Sequence, residues 1–145
     1  MRLVIDTNCL LASVPRRSPY RWLYDTVLTG QVELAVTTEI LLEYEEQLGN
    51  FYAPDYAGYV LSTLINLPNI IFVNPLHFNW LLITNDPDDN KFVDTAIAAN
   101  ADFIITNDRH FNLLKRVEFP SVSFVKLPDF HPVLAHYLKN LENSE

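Results

Sequence analysis

"LVIDTN", Leu3–Asn8, sets three apolar residues directly against a carboxylate, a hydroxyl and an amide. The run Leu3-Val4-Ile5 reads as a short buried β-strand, rich in β-branched residues and apolar on both faces. Strands of that kind belong to parallel sheets covered by helices on both sides. Asp6 then stands at the carboxyl end of its strand, where open α/β sheets place their sites. Asp and Asn also favour turns, because their side chains bond nearby backbone. Asp6 therefore gains chemical meaning only if other segments bring it partners.

Working outward, strands and helices alternate. A loop, Val14-Pro15-Arg16-Arg17-Ser18-Pro19, precedes a helix over roughly 20–29 that stops at Gly30. "VELAVT", Val32–Thr37, is a second strand, followed by a helix capped by Thr38 and running to about Leu48. Asp55–Leu67 gives another helix and Ile70–Val73 a third strand. Asp86 is placed to cap the next helix with Pro87 at its first position, where a missing N–H costs nothing. Asp102–Thr106 is a fourth strand, then come a short helix to about Arg116, a last strand "SVSFVKL" and a terminal helix from His131. The pattern predicts an α/β fold, a three-layer α/β/α arrangement around a central, mainly parallel sheet. A single domain over 1–145 is expected, with 131–145 as a C-terminal helix or tail carrying Leu134, Tyr137, Leu138 and Leu141 on one face.

Composition narrows the class. Of the residues, 49% are hydrophobic and 19% charged, a globular balance and not a disordered one. Three glycines against nine prolines argue against a glycine-rich phosphate loop. No apolar run approaches the ~18 residues of a membrane span, and the first residues do not read as a signal peptide. The single cysteine, Cys9, excludes an internal disulfide, reads as packing and fits a reducing, cytoplasmic setting. Eighteen acids against ten bases give a net charge of −8. That balance opposes simple electrostatic binding of a polyanion, unless the acids gather at a site where a metal ion reverses the local sign.

The acids do gather. Asp6 ends the first strand and Asp108 follows the fourth, two arrivals at the same sheet edge. Asp86, Asp88 and Asp89 crowd the start of one helix, and Glu39, Glu43, Glu45 and Glu46 lie on another. Acids in a first helical turn are favoured by the macrodipole alone, by ~0.3–1 kcal/mol each. Four segments converging on one edge need more than that, because clustered, desolvated carboxylates repel. A hard cation such as Mg²⁺ or Mn²⁺, which prefers oxygen ligands, resolves the repulsion. Asp89 shares its helical face with Phe92, Val93 and Ala96, whereas Asp94 lies about 140° round the helix. Asp89 is thus the expected ligand and Asp94 a residue of the surrounding layer. On the second helix Glu43 and Glu45 both flank the apolar face, and periodicity does not choose between them.

"VIDTN", "TEILLEYEEQL", "DPDDNKFVDTAIAANADFIITNDRHF" and their order resemble PIN domains, in particular the bacterial toxins of toxin–antitoxin pairs. The resemblance runs over roughly residues 1–130. It implies a metal-dependent endoribonuclease acting on single-stranded or structured RNA, with Asp6, Glu43, Asp89 and Asp108 as catalytic metal ligands. It also selects Glu43 over Glu45. Thr7, Asn8 and Thr106 match polar positions expected to orient those ligands, with Asp94 in the same supporting role. A cognate antitoxin and a homodimer are further implications of the likeness.

One or two Mg²⁺ or Mn²⁺ ions in such a site activate water and stabilise charge on the phosphate and the leaving oxygen. Arg16, Arg17, Lys91 and Arg109, with Arg21 and Lys115, are the bases closest in sequence to the proposed edge and candidates for flanking phosphates. His110 is assigned no direct role, because hydrolysis by hard metals does not require a histidine. Tyr20, Trp22 and Tyr24 read as helix packing before base stacking. A phosphohydrolase with Asp6 as nucleophile is disfavoured, since haloacid-dehalogenase-type enzymes need a second Asp where Asn8 stands. The alternative function is a catalytically quiet PIN-like module that binds RNA or protein, a reading that the acidic balance favours and the intact set of acids opposes.

Overall fold

In a computed structural model, residues 1–74, 81, 83, 87–118 and 120–144 are described. β1 (Arg2–Ile5) leads into α1 (Thr7–Ser13) and α2 (Arg21–Leu28). β2 (Glu33–Val36), α3 (Thr38–Phe51), α4 (Pro54–Ile65) and β3 (Ile70–Phe72) follow. A 3-10 turn, Pro87–Asp89, opens α5 (Asn90–Ala99), which precedes β4 (Phe103–Ile105), a 3-10 segment (Arg109–Arg116), β5 (Phe124–Val125) and α6 (Leu127–Ser144).

The sheet order is β3-β2-β1-β4-β5 and every pairing is parallel. This is the expected α/β/α architecture. Leu3, Val4 and Ile5 are fully buried, as are Leu34, Ala35 and Val36 of β2, because helices cover both faces. The chain steps outward from β1 to β2 and β3, then returns to the other side of β1 at β4. That reversal opens a crevice between the carboxyl ends of β1 and β4, the place where such sheets bind ligands. Ile5 pairs with Ile105, and the Asp6 amide donates to the Ile105 carbonyl at 3.0 Å. Asp6 and Thr106 therefore leave the sheet side by side.

Several local readings change. Residues 7–13, unassigned from sequence, form α1: the Asp6 carbonyl accepts from the Leu10 amide at 3.0 Å, while Cys9, Leu10 and Leu11 enter the core. Thr37, not Thr38, caps α3, its hydroxyl accepting from the Ile40 amide at 3.1 Å. The expected Asp86 cap lies outside the described residues. The last strand is shorter than expected and α6 begins at Leu127, not His131, with Pro132 inside it. The cause is the Asn107 side chain, which accepts from the Leu127 amide at 2.9 Å and ends the strand. Of the predicted apolar face of α6, Leu134 is buried, Tyr137 and Leu138 are half-buried and Leu141 is exposed.

Tyr24 is buried, and Trp22 stacks on His131 with ring centroids 4.4 Å apart, fastening α2 to α6. The packing reading of the α2 aromatics thus holds for these two. Gly30 closes α2 at φ +77°, and Asn100 closes α5 at φ 51°, both in the left-handed region that favours such residues.

Candidate metal centre

Four elements deliver acids to the crevice. Asp6 follows β1 and is 7% exposed; Asp89 ends the 3-10 turn before α5 and is equally buried. Asp108 follows β4, and Glu43 lies on α3. Together with Thr7, Asn8, Gln47, Asp88 and Phe92 they line a cleft of about 290 Å³.

Each acid is placed by an identifiable contact. Tyr44, fully buried on α3, donates its hydroxyl to the Ile5 carbonyl, clamping the helix to the end of β1. Its neighbour Glu43 is thereby set beside α1, where one carboxylate oxygen accepts the Thr7 hydroxyl. The other lies 2.8 Å from the Lys91 ammonium, which also donates to the Asp88 carbonyl at 2.9 Å. Thr106 serves two acids. Its hydroxyl donates to Oδ2 of Asp6 at 2.8 Å and accepts from the Asp108 amide at 3.1 Å. The Asp108 carboxylate in turn accepts from the His110 amide at 2.9 Å, starting the 3-10 segment. Asn90 bonds both the amide and the carbonyl of Ile83, each at 2.7 Å, and so fixes the start of α5 behind Asp89.

The electrostatics are those of concentrated negative charge. Burial is the main cause that raises the Asp6 carboxyl above its usual range; Asp108 and Glu43 add to the rise, and the Thr106 and Thr7 hydrogen bonds oppose it. The Tyr44 hydroxyl is raised well above its ordinary value, first by burial and then by Asp6 and Glu43. Burial, reinforced by Asp6, pushes the Cys9 thiol up to about 12. Oxygen atoms of Asp89 and Asp108 and Nδ1 of His110 can all lie within 4.8 Å of one another, a spacing that one cation can span.

A family model described as "PIN domain" matches residues 2–110. The chain belongs to the PIN domain family. The matched span contains all four clustered acids and ends at His110. Among solved structures, the PIN fold here is similar to the "Crystal structure of VapBC2 from Rickettsia felis bound to a DNA fragment from their promoter". The TM-score is 0.61 at 17% identity, over 87% of this chain and 98% of that one. It is also similar to the "Structure of FitAB bound to IR36 DNA fragment", with a TM-score of 0.54 at 14% identity, over 86% and 94% of the two chains. No curated protein matches the chain.

In this PIN domain the sequence-predicted residues separate cleanly. Asp6, Glu43, Asp89, Asp108, Thr7 and Asn8 share the cleft, and Thr106 backs it. Asp94 is buried in α5 and does not line the cleft. Glu43 lines the acid cleft, whereas Glu45 lines a different one, with Gly49, Pro54 and Gly58. Lys91 pairs with Glu43 and does not stand free, its side chain 10% exposed. Arg109 lines an adjoining-sequence cleft with His110, Asn112 and Arg116. Arg16 lies with Arg21, Tyr24 and Tyr56 in a cleft between α2 and α4, and Arg17 is exposed nearby in sequence.

Two residues near the acids are not among those expected at the site from the sequence. Gln47 follows Glu43 by four positions, a spacing that puts both on one helical face and could have been read. His110 has Nδ1 at 3.2 Å from Asp108 and 3.6 Å from Asp89. The approach to Asp89 joins two segments far apart in the chain, so no local pattern announces it.

Proposed function

We propose that this PIN domain is a metal-dependent endoribonuclease that hydrolyses phosphodiester bonds of single-stranded or structured RNA, and that it is the toxin of a toxin–antitoxin pair. The observation that carries the reading is the convergence of Asp6, Glu43, Asp89 and Asp108 in one cleft at the switch point of the sheet. The donor set fits a hard divalent cation, Mg²⁺ or Mn²⁺: carboxylate oxygens dominate it, and the Asp6 carboxyl is raised first by burial and then by its neighbours Asp108 and Glu43, costs that a bound cation offsets. When bound, such an ion supplies water activation and charge stabilisation at the phosphate.

The rest belongs to the chain. Thr106, Thr7 and Lys91 hold the carboxylates in place in the meantime, with Asn8 and Asp94 in the same supporting role. Arg109, Arg16 and Arg17 carry the positive charge that the strand's other phosphates require on a protein of net charge −8. The toxin role and an antitoxin partner are supported by the structural likeness to VapBC2 and FitAB; a homodimer is kept as part of the same reading. No described helix is long and apolar enough to cross a membrane, and a cytoplasmic site of action fits the single buried thiol.

The test is cleavage of single-stranded RNA in Mn²⁺ by the wild type and by Asp6→Asn, Glu43→Gln and Asp108→Asn. Cleavage by the wild type alone is expected. Equal activity in wild type and variants would show that the clustered acids do not carry the cleavage, and no activity in any would leave the quiet RNA- or protein-binding module as the better reading.

A further inference from the structure

We propose that His110 contributes its Nδ1 as a ligand to the cation of the acid cleft, beside Asp89 and Asp108, and so tilts the site toward first-row transition cations over Mg²⁺. The inference rests on the cleft being a cation site.

Nδ1 of His110 lies 3.2 Å from Oδ1 of Asp108 and 3.6 Å from Oδ2 of Asp89. Two ligand atoms each about 2.1 Å from a shared ion are about 3.0 Å apart when adjacent on an octahedron and about 4.2 Å apart when opposite. Both observed separations fall inside that range. The approach is built into the backbone as well. The Asp108 carboxylate caps the His110 amide, which puts the imidazole in the first turn of the 3-10 segment and turns it back toward the acids. The next residue, Phe111, is fully buried and fixes that turn against the core.

The chemical consequence follows from donor type. Carboxylates alone discriminate poorly between Mg²⁺ and Mn²⁺, since both accept oxygen. Mg²⁺ holds its water shell tightly and takes oxygen ligands. An imidazole nitrogen suits first-row transition ions, so one such donor among carboxylates shifts the preference away from Mg²⁺. An imidazole between two carboxylates can also act as an ion-paired clamp that never touches a cation, and the experiment separates the two.

Full-length protein is loaded with Mn²⁺ and examined by electron spin-echo envelope modulation, with affinities measured by calorimetry. The wild type is expected to show modulation from a directly bound imidazole ¹⁴N. His110→Gln loses that modulation, its Mn²⁺ affinity falls by about tenfold or more, and its Mg²⁺ affinity changes by less than about threefold. Bound Mn²⁺ without nitrogen modulation overturns the proposal and leaves the carboxylate site standing. Failure to bind Mn²⁺ at all overturns both. Should His110→Gln fold poorly, His110→Asn takes its place, and a wild-type spectrum without nitrogen modulation is decisive against the proposal by itself.

Discussion

The ammonium of Lys91 lies 2.8 Å from one carboxylate oxygen of Glu43, while the other oxygen accepts the hydroxyl of Thr7. A cation from α5 and a hydroxyl from α1 thus hold the acid of α3 between them. With the Lys91 side chain 10% exposed and that of Glu43 28% exposed, the pair is largely removed from water. Taking away one member of such a pair leaves an uncompensated charge.

Lys91→Met is accordingly expected to destabilise the metal-free protein by about 1–2 kcal/mol. Because it also removes a cation that competes for Glu43, the rise in melting temperature on adding Mn²⁺ should be larger in the variant than in the wild type. Thermal melts with and without Mn²⁺ check both parts. Equal rises in the two proteins would show that Lys91 does not oppose cation binding.

Tyr44 joins α3 to the end of β1 through the Ile5 carbonyl, a buried contact across 39 positions of sequence. Tyr44→Phe leaves that carbonyl without its donor and is expected to cost about 1–3 kcal/mol in urea unfolding. It should also lower RNA cleavage, since Glu43 is the adjacent residue and depends on the same clamp. A variant with unchanged stability would mean that the contact does not anchor the helix.

The architecture was readable because β1 and β2 are apolar on both faces, which only a doubly covered parallel sheet explains. Asp6 and Asp108 stood out in the sequence because each follows a strand, and Asp89 because it opens a helix on the face of Phe92, Val93 and Ala96. Glu43 was not separable from Glu45 by periodicity, since both flank the same apolar stripe. What distinguishes their surroundings is tertiary: the Tyr44 clamp sets Glu43 beside α1, where it accepts the Thr7 hydroxyl, while Glu45 lines a cleft with residues of α4. Similarly, α6 starts early because a side chain from the β4 exit, Asn107, captures the Leu127 amide. The place of His110 depends on the start of α5 meeting the 3-10 segment, which sequence spacing does not encode.

The raised Asp6 carboxyl gives stability a definite pH dependence. Burial first, then Asp108 and Glu43, lift it above the ordinary 3.8 that applies in the unfolded chain. Between that value and the folded one, the native state holds a proton that the unfolded state has released. Stability contributed by this group is therefore full below about 3.8 and is lost as pH rises through the folded value. Denaturant titrations of metal-free protein from acidic to neutral pH should show the wild type losing stability relative to Asp6→Asn. Parallel curves would contradict a raised Asp6 carboxyl in the folded protein.

We propose that the four carboxylates form a cation site assembled at the expense of metal-free stability. Melting of wild type and Asp6→Asn at neutral pH, each with and without Mn²⁺, tests it most directly. Asn at position 6 retains an acceptor for Thr106 while removing the charge. The variant is expected to melt about 2–4 °C above the metal-free wild type and to lose the upward shift that Mn²⁺ gives the wild type. A variant that melts lower without metal, yet gains as much from Mn²⁺ as the wild type does, would contradict it.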